Sequence, residues 1–210
     1  MEPVTLTTPR LELSAPTAAD EDAIFAVCQD PDIQRWTTVP SPYTCAHAEG
    51  FVALTAQGWE KDAEHTWAIR TGAGAADRGR PDASTFPDDP AFPDASALVG
   101  MISLSRNGPG AAEIGYWLAP SARGRGLLAE AATAVLDWGF SAEGMALERI
   151  IWRAKVGNIA SARTARALGF RYEGLLRKGL RMQSGGVDGW IAGLLDSDDR
   201  TTHPWPVLAD

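Results

Sequence analysis

The segment from Ala111 to Thr133 limits the fold more than any other. An alternating apolar stretch, Ala111 to Leu118, runs through Ala119 and Pro120 into an Arg- and Gly-rich turn, Arg123-Gly124-Arg125-Gly126-Leu127-Leu128, and then into a helical pattern. A strand that turns this tightly into a helix presents the helix's first backbone N–H groups at one point. Those groups have no intrahelical partner and carry a partial positive charge, so the junction is a ready anion site. Gly124 and Gly126 lack Cβ, which admits unusual backbone angles and lets a bulky diphosphate approach the amides. Arg123 and Arg125 add positive charge where such a ligand is negative.

Periodicity places the remaining elements coarsely. A strand is expected at about 9–15, a helix at about 18–29 that Pro31 breaks, and a longer helix at about 44–61 entered through Ser41-Pro42-Tyr43-Thr44. Strands follow at about 65–71, 97–105, 111–118, 148–155, 170–176 and 187–195, with helices at about 126–142 and 159–168. The helix after Gly126 repeats apolar residues at Leu127, Leu128, Ala131, Ala132, Val135, Leu136 and Phe140, an amphipathic face. Residues 72–96, rich in Gly, Pro, Asp and Ala, hold too little apolar surface to offset ordering and read as a flexible insertion.

With 210 residues and 45% hydrophobic content, the chain suits a single domain with an ample core. No run reaches the ~18 apolar residues of a membrane span, and Met1-Glu2-Pro3-Val4-Thr5 carries neither a basic nor an apolar leader region, so the expected location is the cytoplasm, with no membrane partner. Cys28 and Cys45 match no zinc or redox spacing and are expected to be plain buried thiols. His47, His65 and His203 are scattered singly, so no metal is expected. A net charge of −8 argues against nucleic acid as a partner and favours a cationic amine. The charge is uneven: between Arg149 and Arg181 the only acid is Glu173, amid many arginines and lysines that could face cofactor phosphates or simply solvent.

Two kinds of phosphate binder could use this turn. Gly124-x-Gly126-x-x-Ala129 formally fits a dinucleotide fingerprint, but Glu148, at the spacing of the ribose-binding acid, precedes the next apolar run instead of ending it. The other candidate explains more residues. Gly115-Tyr116-Trp117-Leu118-Ala119-Pro120 followed by Arg123-Gly124-Arg125-Gly126-Leu127-Leu128 resembles the acyl-CoA pyrophosphate loop of the GNAT superfamily of N-acetyltransferases. Asn158 to Phe170, with Tyr172-Glu173-Gly174, resembles the helix and strand that close the cofactor groove in the branch of ribosomal-protein N-terminal acetyltransferases. Thr8-Pro9-Arg10-Leu11-Glu12-Leu13 and Asp188 to Leu195 resemble that branch as well. One residue departs from the pattern: the loop's sixth position is Leu128, where Gly or Ala is usual.

The resemblance implies an α/β (α+β) fold: a mixed, mostly antiparallel central sheet of about seven strands, helices on both faces, and a splayed wedge that receives the cofactor. It implies one acetyltransferase domain over residues 1–210, monomeric or homodimeric, using acetyl-CoA as co-substrate and no metal. The acceptor would be a protein or peptide α-amine or, failing that, a small-molecule amine or antibiotic; a non-catalytic acyl-CoA-binding module is the rival from another class. Trp117, Leu118, Ala119 and the loop Arg123 to Leu128 would hold the cofactor, with an oxyanion donor among the backbone N–H groups near Leu118. Asn158 would bond the cofactor arm and also suits a helix N-cap. Ser161, one helical turn on, would steady or protonate the leaving sulfur, because the position where many members carry a tyrosine acid is Ala165 here, and Tyr172 is a weak substitute. Glu113, on the face of the strand that carries Trp117, is the candidate general base or else a solvent-facing ion-pair partner, with Glu173 and Asp188 as alternatives. Trp36 and Trp190, with Trp67 and Trp117, are candidates for the acceptor pocket or simply for the core.

Overall fold

The structure is a computed structural model describing residues 1–71, 97–182 and 185–208. The expected insertion at 72–96 lies outside the described residues. Among those described, eight strands form one sheet: β1 (Leu6–Thr7), β2 (Leu11–Ser14), β3 (Glu64–Thr71), β4 (Leu98–Arg106), β5 (Ala111–Leu118), β6 (Arg149–Lys155), β7 (Arg171–Met182) and β8 (Gly185–Leu195). Their order across the sheet is β1-β2-β3-β4-β5-β6-β8-β7. Every neighbouring pair is antiparallel except β5 with β6, which is parallel because α4 (Leu127–Phe140) crosses between them. The short β1, too brief to show a period, makes the count one more than the sequence pattern suggests.

The helices α1 (Glu21–Val27), α2 (Pro31–Trp36), α3 (Cys45–Glu60) and α5 (Ile159–Ala167) accompany α4. Pro31 does not merely end the first helix; it opens α2 as its first residue, where its missing N–H costs nothing, and Asp30 caps the same helix by accepting from the Ile33 N–H at 2.9 Å. Strand alternation then sorts the core. Trp67, Ile69, Ile102, Leu104, Ile114 and Ile150 pack on one face under α4 and α5, while Ala68 and Met101 on the other face meet Ile24 of α1 and Ala48 of α3. The sheet is therefore covered on both sides. Cys28 is buried but Cys45 is exposed at the start of α3, so only one thiol behaves as read, and both are free.

At one end of the sheet, Trp59, Trp67 and Trp138 enclose His65, which is fully buried. Burial pushes the imidazole pKa down; Asp62, 3.0 Å from Nε2, pulls it up, and Arg106 and the Met1 ammonium push it down again, leaving it below the ordinary value. The folded state thus prefers neutral His65, and the unfolded chain binds the proton more readily. The associated stability is complete above about pH 6.5 and is lost as pH falls from there toward the lowered folded-state pKa. Urea midpoints should drop over that window, and a His65→Phe variant should show a flatter profile; an unchanged slope in the variant would exclude His65 as the source.

Candidate active site

The turn between β5 and α4 joins two left-handed glycines to a helix N-terminus, the geometry an anion cradle needs. The Ala119 N–H donates to Val99 O at 2.8 Å, which ends the β5 ladder, and Pro120–Ala122 then make a single 3-10 turn. Gly124 and Gly126 hold φ of +75° and +73°, left-handed values that cost a residue with Cβ about 1–2 kcal/mol. Gly126 is the N-cap of α4 and supplies no side-chain oxygen, so the cap leaves the helix's first N–H groups for a ligand. Leu127 turns into the core, and Leu128 packs partly against it while still lining the cavity, so the unusual sixth residue does not fill the turn.

Two attachments hold this loop. Glu130, in the first turn of α4, accepts from the Arg10 N–H at 2.9 Å, from Arg10 Nε at 2.6 Å and from the Thr8 hydroxyl, while an Arg10 guanidinium N–H donates to Arg125 O at 3.0 Å. Burial raises the Glu130 pKa, but the bonds from Thr8 and Arg10 outweigh it and keep the carboxyl below its usual range. On the other side, Arg123 donates to Leu118 O at 3.2 Å and to Asp30 Oδ1 at 2.7 Å, with Asp32 at 3.6 Å. Arg123 lines the cavity but spends part of its charge on α2, and Arg125 is not among the lining residues.

Beyond the loop the sheet opens. β5 and β6 pair only from Ala111 with Arg149 to Ile114 with Trp152; past that point β5 stays with β4 as far as Leu118, and β6 stays with β8 as far as Lys155. Because Ala119 bonds to β4, alternation turns the peptide groups of Leu118 and Tyr116 away from β4 and into the gap. The gap belongs to a cavity of about 1310 Å³ that also reaches Gly124, Gly126, Asn158 and Ser161. It exceeds the usual span of a small-molecule pocket, about 300–1,000 Å³, so it has room for more than one ligand.

At the wedge's far wall, the Asn158 Oδ1 caps α5 by accepting from the Ser161 N–H at 3.2 Å. The Ser161 Oγ lies 2.9 Å from the Tyr116 hydroxyl, and the Trp152 indole N–H reaches both oxygens, at 3.0 Å and 3.1 Å. All three residues line the cavity. Burial pushes the Tyr116 pKa up to about 12, although bonds to Ser161 and Trp152 counter it. Across the sheet, Glu113 is ion-paired with Arg153, whose Nε donates at 2.9 Å. Both line the cavity's opposite side with Trp117, Trp36, Thr66 and Ser103.

The family model described as "Acetyltransferase (GNAT) domain" matches residues 10–171. The chain belongs to the GNAT acetyltransferase family. The ribosomal-protein-serine acetyltransferase of Escherichia coli K12 is 36% identical over 83 residues, 39% of this chain and 45% of that one. The chain spans about half the length of the curated relatives it matches, 45% to 57% of each. Among solved structures, RimL, a ribosomal L7/L12 alpha-N-protein acetyltransferase, superposes with a TM-score of 0.73 at 18% identity, covering 93% of this chain and 96% of its own. MccE, a microcin C7 self-immunity acetyltransferase in complex with acetyl-CoA and AMP, gives 0.71 at 16% identity, covering 90% and 93%. These two likenesses show the fold.

The GNAT architecture brings together most of the residues singled out in the sequence. Glu113, Trp117, Leu118, Arg123, Gly124, Gly126, Leu127, Leu128, Asn158, Ser161 and Trp36 all line this cavity. Ala119 and Arg125 flank it without lining it. Trp190 does not reach it: it is 6% exposed within the core under α4 and α5, where Trp67 is also buried with its indole N–H donating to Val4 O at 2.8 Å. Of the alternative bases, Glu173 pairs with Arg149 and Asp188 accepts from the Lys178 N–H, both away from the cavity. Tyr172 packs against Trp205 instead of facing the wedge. Tyr116 and Trp152 carry no sequence signal of a site role, because a strand pattern tells which side chains share a face but not which helix that face meets; Arg153, in the basic run expected to face phosphates or solvent, pairs with Glu113 instead. A Gly126→Val variant should lower the thermal midpoint and weaken CoA binding about tenfold or more, by calorimetry, because it strains the N-cap and crowds the cradle.

Proposed function

We propose that this GNAT domain transfers the acetyl group of acetyl-CoA to a primary amine, the N-terminal α-amine of a protein or peptide, by direct attack within a ternary complex. The observation that carries this reading is the parting of β5 from β6 after Ile114 and Trp152, with the glycine cradle at one end of the gap and the Ser161 hydroxyl beside it. Acetyl-CoA supplies the acyl group as a thioester. The amides opening α4 bind its diphosphate, and the peptide groups of Tyr116 and Leu118 receive its arm as an added strand. The Leu118 N–H, turned into the gap, is the donor available to a developing oxyanion.

Glu113, on the cavity wall opposite Ser161's side of the sheet, takes the proton of the attacking amine through water. Arg153 fixes the carboxylate in place. Ser161 faces the departing sulfur, and Asn158, its Oδ1 committed to the cap, offers its amide N–H groups to the arm. Supporting the protein acceptor are the ribosomal-protein serine acetyltransferase relative and the likeness to RimL. A cytoplasmic protein is the corresponding setting; among the described residues no helix is long and apolar enough to cross a membrane. A small-molecule amine is the second acceptor class, supported by the size of the cavity.

Thiol release from acetyl-CoA in the presence of a panel of N-terminal peptides and small amines tests the reading. Turnover on peptides supports it, whereas saturable CoA binding without turnover on any amine would leave a binding module. Glu113→Gln should lower kcat about a hundredfold with little effect on acetyl-CoA affinity. Arg123→Ala should show the opposite split, weakening CoA binding about tenfold.

A further inference from the structure

We infer that Tyr116 is a positioning residue that, with Trp152, turns the Ser161 hydroxyl into an outward hydrogen-bond donor for the departing thiolate. The inference rests on the acetyl-transfer reading above and goes beyond it, because neither the Tyr116 nor the Trp152 side chain has a part there. It follows from counting protons and lone pairs in the cluster.

A serine hydroxyl has one proton and two lone pairs, a tyrosine hydroxyl likewise donates once, and an indole N–H can only donate. The Trp152 N–H is shared between the Ser161 Oγ at 3.0 Å and the Tyr116 hydroxyl at 3.1 Å. The two hydroxyls, 2.9 Å apart, share one proton between them. That proton can be assigned in two ways. If Ser161 donates to Tyr116, the tyrosine must place its own proton on the Ser161 carbonyl, its other neighbour, at a stretched 3.4 Å. If Tyr116 donates to Ser161, both serine lone pairs are filled, by Tyr116 and Trp152, and the serine proton has to point elsewhere. The open direction is the cavity that all three residues line. An anionic sulfur in the wedge selects the second arrangement, because a hydrogen bond to a charge is stronger than one to a distant carbonyl.

The cluster also decides between donating a bond and giving up a proton. Among the described residues the Tyr116 hydroxyl hydrogen-bonds only to Ser161 and Trp152, neither of which is an acid that could replace a proton passed outward through Ser161. The tyrosine hydroxyl, pushed up to about 12 by burial, is a weaker acid than an alkyl thiol. The chemistry balances without such a transfer. The amine nitrogen forms the N–C bond, the C–S bond breaks with its electron pair on sulfur, the amine proton leaves toward Glu113, and the thiolate departs as an anion under the Ser161 O–H, to be protonated by water after release.

This can be read with CoA alone, apart from any acceptor. In the wild-type complex the CoA thiol, titrated by thiolate absorbance, should ionise about one unit below its value in free CoA measured alongside. Ser161→Ala should abolish the shift, and Tyr116→Phe should remove a good part of it while leaving CoA affinity within twofold. In turnover, Tyr116→Phe should lower kcat about tenfold at unchanged KM for acetyl-CoA, and the Tyr116→Phe/Ser161→Ala double variant should be no slower than Ser161→Ala. Multiplying effects, or a thiol pKa indifferent to Tyr116, would overturn the assignment. CoA that binds with a shifted thiol but is never turned over would count against the acetyl-transfer reading and leave the cluster's polarity supported.

Discussion

Everything in this GNAT domain turns on a pairing that stops early. Among the described residues β5 and β6 are the only parallel neighbours in the sheet, and their ladder ends at Ile114 and Trp152. A parallel pair must be joined by a crossover, so α4 necessarily starts beside the point where the strands part. The anion cradle and the open strand edge are therefore two results of one topology. The edge exposes peptide groups that an antiparallel neighbour would have bonded, and the crossover brings a helix N-terminus to the same mouth.

Electrostatics then divide the cavity. The cradle relies on backbone amides and the end of a helix, which cannot be neutralised by a change in protonation, while its arginine, Arg123, is partly tied to Asp30 and Asp32. Burial raises the Asp30 pKa, but the bonds from Arg123 and the Ile33 N–H hold it below the usual carboxylate range, so the tie stays charged near neutrality. On the far side of the sheet, Glu113 and Arg153 form a pair between β5 and β6. The glycine turn and the Glu113–Arg153 pair thus lie on different walls of the cavity.

How much of this was legible in the sequence differed by element. The strand, the Gly124 and Gly126 turn and the amphipathic α4 were readable because each shows a local signal: alternation, residues tolerant of positive φ, and a helical repeat. Asn158 was readable as a cap for the same reason. β1 was not, since two residues carry no period, and α2 was hidden because Pro31 reads equally as a stop or a start. Trp190 was misplaced in the acceptor pocket because an aromatic on a strand reads the same whether its face meets a ligand or a helix; in the fold it meets the core. Tyr116 and Trp152 were missed by the same blindness in reverse. Their meeting with Ser161 depends on how β5, β6 and α5 come together, which no single segment encodes.

The tie between Arg10 and Glu130 joins residues 120 positions apart. The segment before β2, although its strand already pairs with β3, therefore reaches its final contacts only when α4 is in place, and the turn ahead of α4 settles against it. Thr8, Arg10 and the turn before α4 are thus held as one unit. Fraying at the first ten residues is felt where the nucleotide end of the cofactor would lie, and a bound anion there would in turn quieten the amino terminus.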